Sequence, residues 1–223
     1  MASEATEGKI GRLQQGIAER RKRLLRAAGE LIEERDDGIF SMPELAKRAG
    51  LSLATPYNLF GSKAAVLVEL FDGQVRGFNR THEWMAGTSP LERVVGVVDR
   101  VVDAFSRRPR FFRNIRKALF GLGPVEQGRF PVPPSGHVVQ PLARSLAADG
   151  YLPSVIPVQV LEATLMRVFD ATFEQWSIQD WEMERLRAEL SASFALVCAA
   201  LLTEADRPGF AALMQRAGAV TPV

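Results

Sequence analysis

The sequence predicts an all-α fold, with a compact set of short amino-terminal helices followed by a larger helical domain. Three observations predict it. Apolar residues recur at helical spacing along most of the chain, helix-start punctuation recurs at Ser41, Ser52, Ser62 and Ser89, and no strand-like alternation of useful length appears. The chain has 223 residues, enough for one or two domains. Hydrophobic residues make up 47% and charged residues 24%, the balance of a globular protein rather than a disordered one.

The elements follow in order. Residues 1–16 are polar without a sustained apolar period and predict a flexible tail. From Ile17, the positions Leu24, Leu25, Ala28, Leu31 and Ile32 share one face of a helix, and Gly38 is expected to end it. Arg20, Arg21, Lys22, Arg23 and Arg26 lie on its other faces, where they would attract a nearby phosphate. Ser41-Met42-Pro43-Glu44 is a capping box with proline in the first turn, and Gly50 limits the resulting helix to Ala49. Ser52 is expected to cap a short helix through Phe60. Gly61 breaks that helix and Ser62 starts a longer one bearing Val66, Leu67, Leu70, Phe71 and Val75.

Ser89-Pro90-Leu91-Glu92 is a second capping box, opening a stripe of Val94, Val95, Val98, Val101, Val102 and Phe105. A helix over Arg110–Phe120 precedes a Gly- and Pro-rich loop at 121–134, and another helix stops at Gly150. Two long helices close the chain, about Val158–Ser177 and Trp181–Glu204, apolar over more than half their circumference.

The informative stretch is Met42–Lys63, MPELAKRAGLSLATPYNLFGSK. Small Ala46 permits close helix approach, Gly50 suits a tight turn, and Leu45, Ala49, Leu51 and Leu59 fill the joint. Two short helices at such a turn describe a helix-turn-helix, whose second helix enters the DNA major groove. Its amino-terminal residues reach the bases, and its free N–H groups favour phosphate.

The pattern Ser52-x-x-Thr55-x-Tyr57-x-x-Phe60-x-Ser62-Lys63, within Phe40–Leu70, resembles the DNA-binding signature of the TetR family of transcriptional regulators. About a quarter of the chain carries this resemblance; beyond Phe78 only the pattern of helices agrees. The resemblance implies a DNA-binding domain over residues 17–64 and an effector-binding and dimerisation domain over 65–223. It implies phosphate contacts from Tyr57 and Lys63, and base-facing positions at Leu53, Ala54 and Asn58. Ser41, Ser52 and Thr55, at helix starts, can serve as caps, phosphate ligands or both. Pro56 stands where the family more usually has an aliphatic residue.

The function expected is a homodimeric, ligand-responsive repressor that binds a palindromic operator and is released by a hydrophobic small molecule. The last two long helices, with Ala192, Ala195 and Ala199 permitting close approach, are expected to pair in a four-helix bundle. An effector cavity among helices from Ser89 to Ser177 is expected to draw on Phe105, Phe112, Phe120, Phe169, Phe173 and Trp176, with Arg113 or Arg116 for an anion. Residues of this kind at helical spacing are core first, and a lining role comes second. The rivals are an all-α enzyme acting on a lipophilic substrate and an effector-independent DNA-binding protein.

Other chemistry finds little material. One cysteine, Cys198, excludes a disulfide framework, and two histidines, His82 and His137, leave little for metal or acid–base work. No metal and no cofactor are expected. Gly121-x-Gly123 lacks the third glycine of a dinucleotide loop, Gly61-Ser62-Lys63 has phosphate-loop letters in the wrong order, and nothing orients a base near Ser135. No stretch reaches the roughly 20 apolar residues of a membrane span, and no secretory leader is evident, so a cytoplasmic protein is expected.

Overall fold

The computed structural model describes residues 2–35, 39–75, 85–121 and 135–220. Its helices are α1 (Ala2–Glu34), α2 (Met42–Arg48), α3 (Ala54–Phe60), α4 (Lys63–Val75) and α5 (Pro90–Ser106), then α6 (Pro109–Phe120), α7 (Gly136–Ala148), α8 (Val158–Gln179), α9 (Met183–Val197) and α10 (Arg207–Val220). No strand occurs among the described residues. The chain divides into two compact units, Met1–Asp72 with Asn114–Arg129, and Gly73–Arg113 with Phe130–Val223. The sequence placed the boundary after residue 64, at the start of α4. Gly38, His82 and all but the first residue of the loop at 121–134 lie outside the described residues.

In the first unit, α1 packs on α2 and α3. Its buried face is Leu24, Ala27, Ala28, Leu31 and Ile32, close to the periodicity read from the sequence. Burying each such Leu or Ile contributes about 1.5–3 kcal/mol. The stretch read as a flexible tail is helical here, because α1 begins at Ala2. An apolar period marks only a helix with a face to bury; polar helix formers such as Glu4, Lys9 and Gln14 extend one without leaving that mark. Asn114, itself buried, donates to the carbonyls of Ile32 (2.9 Å) and Arg35 (2.6 Å), satisfying acceptors that the end of α1 leaves open.

In the second unit, α9 packs against α5, α8 and α10, and α7 against α5 and α8. The Ser89 capping box forms as the sequence predicts. On α5, Val94, Val98, Val101, Val102 and Phe105 are buried; Val97 is buried as well, while Val95 is only half-buried. Gly150, at φ 77°, closes α7 with N–H bonds from Gly150 to Ala147 and from Tyr151 to Leu146. Arg93 on α5 is 1% exposed, a burial that the periodicity does not foretell. Its guanidinium donates to the carbonyls of Thr88 and Ser145, pairs with Asp149 and lies over the Tyr151 ring.

The carboxyl-terminal region departs from expectation. The helix expected to reach Glu204 stops at Val197, and a further helix, α10, follows two 3-10 turns at Ala199–Leu201 and Glu204–Asp206. Thr203-x-x-Asp206 forms a capping box before Pro208, a start signal masked by the alanine-rich run ahead of it. Ala192 and Ala195 are buried inside the unit, whereas Leu196 (58% exposed) and Val160 (54%) face solvent.

Candidate nucleic-acid interface and aromatic core

The turn between α2 and α3 is built by the backbone. Ser41 caps α2: its Oγ accepts from the Glu44 N–H at 3.3 Å, and Glu44 Oε2 accepts from the Ser41 N–H at 2.8 Å. Hydrogen bonding from the Ser41 backbone and hydroxyl, with the Arg35 charge behind them, holds the Glu44 carboxyl below the usual carboxylate range. At the other end of α2, Gly50 takes φ 62°, its N–H bonds Lys47 and the Leu51 N–H bonds Ala46. That paired closure requires a left-handed residue, which glycine supplies without a Cβ penalty. Arg23 reaches over from α1 and donates to the Ala49 carbonyl at 2.6 Å.

Much of the basic run expected to attract phosphate is thereby engaged inside the unit. Arg21 donates to the Leu59 carbonyl at 2.6 Å, pairs with Glu69 and lies over the Phe60 ring at 4.4 Å. Arg20 bonds the Gly16 carbonyl within α1, and Arg48 pairs with Glu34, whose carboxyl that bond lowers. Lys22, Arg26 and Lys47 remain exposed. The run reads as a surface in sequence because guanidinium groups are charged, but each long stem can carry its head to a carbonyl or carboxylate of a neighbouring helix.

The exposed face of α3 carries the residues singled out by the sequence. Leu53 is 63% exposed and Tyr57 50% exposed, an apolar and an aromatic side chain in open solvent. Ala54 and Asn58 are exposed beside them, Thr55 and Lys63 are half-buried, and Pro56 is buried beneath. The expected cap of α3 is corrected: Leu53 occupies the N-cap position and no side chain caps there. Ser52 turns its hydroxyl to Thr55 Oγ1 at 2.8 Å instead. Pro56, third in the helix, lacks an N–H that no intrahelical acceptor could have used. Ser62 does cap α4, accepting from the Ala65 N–H at 3.1 Å.

The aromatic residues expected to line a cavity fall into one buried cluster in the second unit. Phe105 stacks on Phe112 at 4.0 Å and meets Phe173 edge-on at 4.9 Å, and Trp176 meets Phe173 at 5.8 Å. Phe169 stacks on Phe173 at 4.4 Å, and Phe194, which the sequence reading missed, extends the cluster. Phe194 lies in the Ala-rich helix, where its small neighbours drew attention instead. Arg116 belongs to the other unit, and the Phe120 side chain is outside the described residues. Among the described residues no helix is long and apolar enough to cross a membrane.

Residues 24–70, which hold α2, α3 and the turn between them, match the family model of bacterial regulatory proteins of the tetR family. No curated protein matches the chain. Among solved structures, a TetR transcriptional regulator from Rhodococcus sp. RHA1 is 24% identical, with a TM-score of 0.57, covering 83% of this chain and 97% of its own. FadR of Thermus thermophilus, a TetR-family repressor solved with lauroyl-CoA, is 22% identical, with a TM-score of 0.67 over 82% of this chain and 96% of its own. A TetR-family regulator from Streptomyces coelicolor is 20% identical, with a TM-score of 0.59 over 92% of this chain and 90% of its own. At these identities the likeness speaks for the fold. Residues 24–70 are thus similar to the tetR-family bacterial regulatory proteins, and the chain shares the helical fold of these solved regulators.

Proposed function

We propose that the chain is a ligand-responsive transcriptional repressor of the cytoplasm that binds a palindromic DNA operator as a homodimer and is released by a hydrophobic small molecule. The observation that carries this reading is the exposed face of α3. Leu53, Tyr57 and Asn58 stand in solvent on a helix whose entry is fixed by Gly50 and whose exit is fixed by Gly61. Asn58 can pair with adenine, Leu53 and Ala54 suit thymine methyls, and the Tyr57 phenol and Lys63 ammonium can donate to phosphate. Ser41, Ser52 and Thr55 can add hydroxyl donors at the groove edge.

The homodimer reading rests on the small size of one reading head: the short helix α3 offers few side chains to a groove, so one head supplies little affinity. Two heads on a palindrome double it. Leu196 and Val160, exposed on the two long helices α9 and α8, supply apolar surface for pairing. The aromatic cluster of Phe105, Phe112, Phe169, Phe173 and Trp176 supports an apolar effector site in the second unit, and the lauroyl-CoA held by the Thermus neighbour is in keeping with it. An effector that distinguishes the two states by about 1–3 kcal/mol suffices to release DNA.

A mobility-shift titration on the DNA flanking the gene tests the reading. Saturable binding to one short palindrome, weakening steeply with salt, is expected. Tyr57→Ala removes a hydrogen bond to phosphate of about 1.5 kcal/mol from each head, so affinity falls roughly hundredfold. Equal binding to arbitrary DNA would favour an effector-independent DNA-binding protein, and no binding at all would favour an enzyme.

A further inference from the structure

Trp176 is wholly buried, 0% exposed, and its indole N–H has no hydrogen-bond acceptor among the described residues. An indole nitrogen can only donate, so an enclosed one is costly to leave unsatisfied. Beside it, the Arg113 guanidinium lies 4.9 Å from the centroid of the same indole. Both terminal nitrogens of Arg113 are engaged, one with the Asp180 carboxylate and one with the Trp181 carbonyl, while its Nε–H is enclosed without an acceptor among the described residues. Two orphan donors thus sit together at the edge of the aromatic cluster. The Arg113 charge is already balanced by Asp180, which is 78% exposed, so this edge lies near the surface and demands an oxygen rather than a full negative charge.

We propose that Trp176 Nε1–H and Arg113 Nε–H form the polar end of the effector site, and that the effector is an apolar molecule carrying a carbonyl or carboxylate oxygen that accepts both. The inference rests on the effector reading above and names the chemistry of its ligand. The oxygen enters at the Asp180 end of α8, and the apolar body lies against Phe105 and Phe173. A carbonyl and a carboxylate offer the same acceptor geometry to two N–H donors, and probes that differ only in that group separate them.

The test uses the full chain with 15N-labelled tryptophan, whose three indole N–H groups give three signals. Trp176→Phe assigns the signal of Trp176. The probes are 2-naphthoate, its methyl ester and naphthalene, with decanoate and methyl decanoate as a chain-shaped pair. Expected is binding of an oxygen-bearing probe about tenfold tighter than naphthalene, with the Trp176 indole signal moving downfield for that probe and not for naphthalene. Preference for the acid over its ester assigns a carboxylate, and equal preference a carbonyl. In Trp176→Phe the preference over naphthalene disappears. The proposal is overturned if naphthalene binds as tightly as the acid and ester, if the indole signal stays put, if the preference survives Trp176→Phe, or if no oxygen-bearing probe binds. The broader effector reading is judged separately: a hydrocarbon that releases operator DNA without moving the indole signal sinks the oxygen acceptor and leaves the effector standing, whereas a broad thermal-shift screen in which nothing stabilises the protein or releases DNA sinks both.

Discussion

Replacing Gly50 by alanine tests whether the helix-turn-helix geometry is held as described. Gly50 sits at φ 62°, where an alanine costs about 1 kcal/mol or somewhat more for its Cβ. The added Cβ also meets Arg23 Nη2 at 3.1 Å, the same nitrogen that donates to the Ala49 carbonyl at 2.6 Å and to the Gly50 carbonyl at 3.3 Å. Hydrogen bonds to a charged donor contribute about 1.5–3 kcal/mol, and a shift of a few tenths of an ångström forfeits part of that. Gly50→Ala is therefore expected to cost about 1.5–3 kcal/mol in urea unfolding followed on the full chain. Gly150 provides the comparison, because it holds the same position in the same type of closure at φ 77°, yet a Cβ there meets nothing within 4 Å. Gly150→Ala should show the backbone cost alone, about 1 kcal/mol. Repeating Gly50→Ala in an Arg23→Met background isolates the coupling, and the cost there should fall toward that of Gly150→Ala. If Gly50→Ala costs no more than Gly150→Ala, or the same with and without Arg23, the guanidinium does not brace the turn.

Three further outcomes are expected. Arg93→Met leaves the Thr88 and Ser145 carbonyls without their donor while Asp149 regains water, so chemical denaturation should register a loss of about 2–3 kcal/mol. Cys198 is 0% exposed and burial pushes its thiol up to about 12, so a thiol-reactive dye at pH 8 should label it only as fast as the protein unfolds; rapid labelling of the folded chain contradicts its placement. Glu34, Glu44 and Asp206 all have carboxyls held below their ordinary values. For Asp206, burial acts in the opposite direction, but hydrogen bonds from Ser89, Thr203 and the Leu91 N–H outweigh it. A carboxylate lowered by folding stabilises the folded state above its unfolded value and loses that contribution as protons are added. Thermal stability should therefore hold from pH 8 to 6 and decline below about pH 4.5, the ordinary Glu value. A melting temperature that rises on acidification from pH 6 to 4 contradicts the sign.

The fold was most legible where punctuation and periodicity agree. The capping boxes at Ser41 and Ser89 and the glycines 50 and 150 appear as read, and the apolar face of α1 does so at Leu24, Ala28, Leu31 and Ile32, with Ile17 and Leu25 only half-buried. Each is a local device whose physics needs only a few neighbouring residues. Features that depend on distant partners were not legible. Arg93 and Arg21 look like surface cations until the carbonyls they serve are brought near by folding, and Asn114 looks unremarkable until the end of α1 stands beside it. At Ser52 a local rule also misled, because Leu53 intervenes before the helix and the hydroxyl turns to Thr55 instead.

The two proposed functional regions differ in legibility for a physical reason. The proposed DNA-reading helix keeps in solvent side chains that an ordinary core would bury, Leu53 and Tyr57, while Pro56 anchors it. An effector site built of rings gives no such contrast. Phe105, Phe169 and Phe173 at helical spacing satisfy the needs of a core whether or not a ligand ever enters, so neither their pattern nor their burial separates the two roles. Only unmet polarity separates them. Apolar rings in a core leave nothing wanting, whereas an enclosed donor without an acceptor is a demand that packing alone does not answer. Among the described residues of this cluster the demand falls on Trp176 and its neighbour Arg113, which is why the ligand proposed above is distinguished by its oxygen rather than by its hydrocarbon.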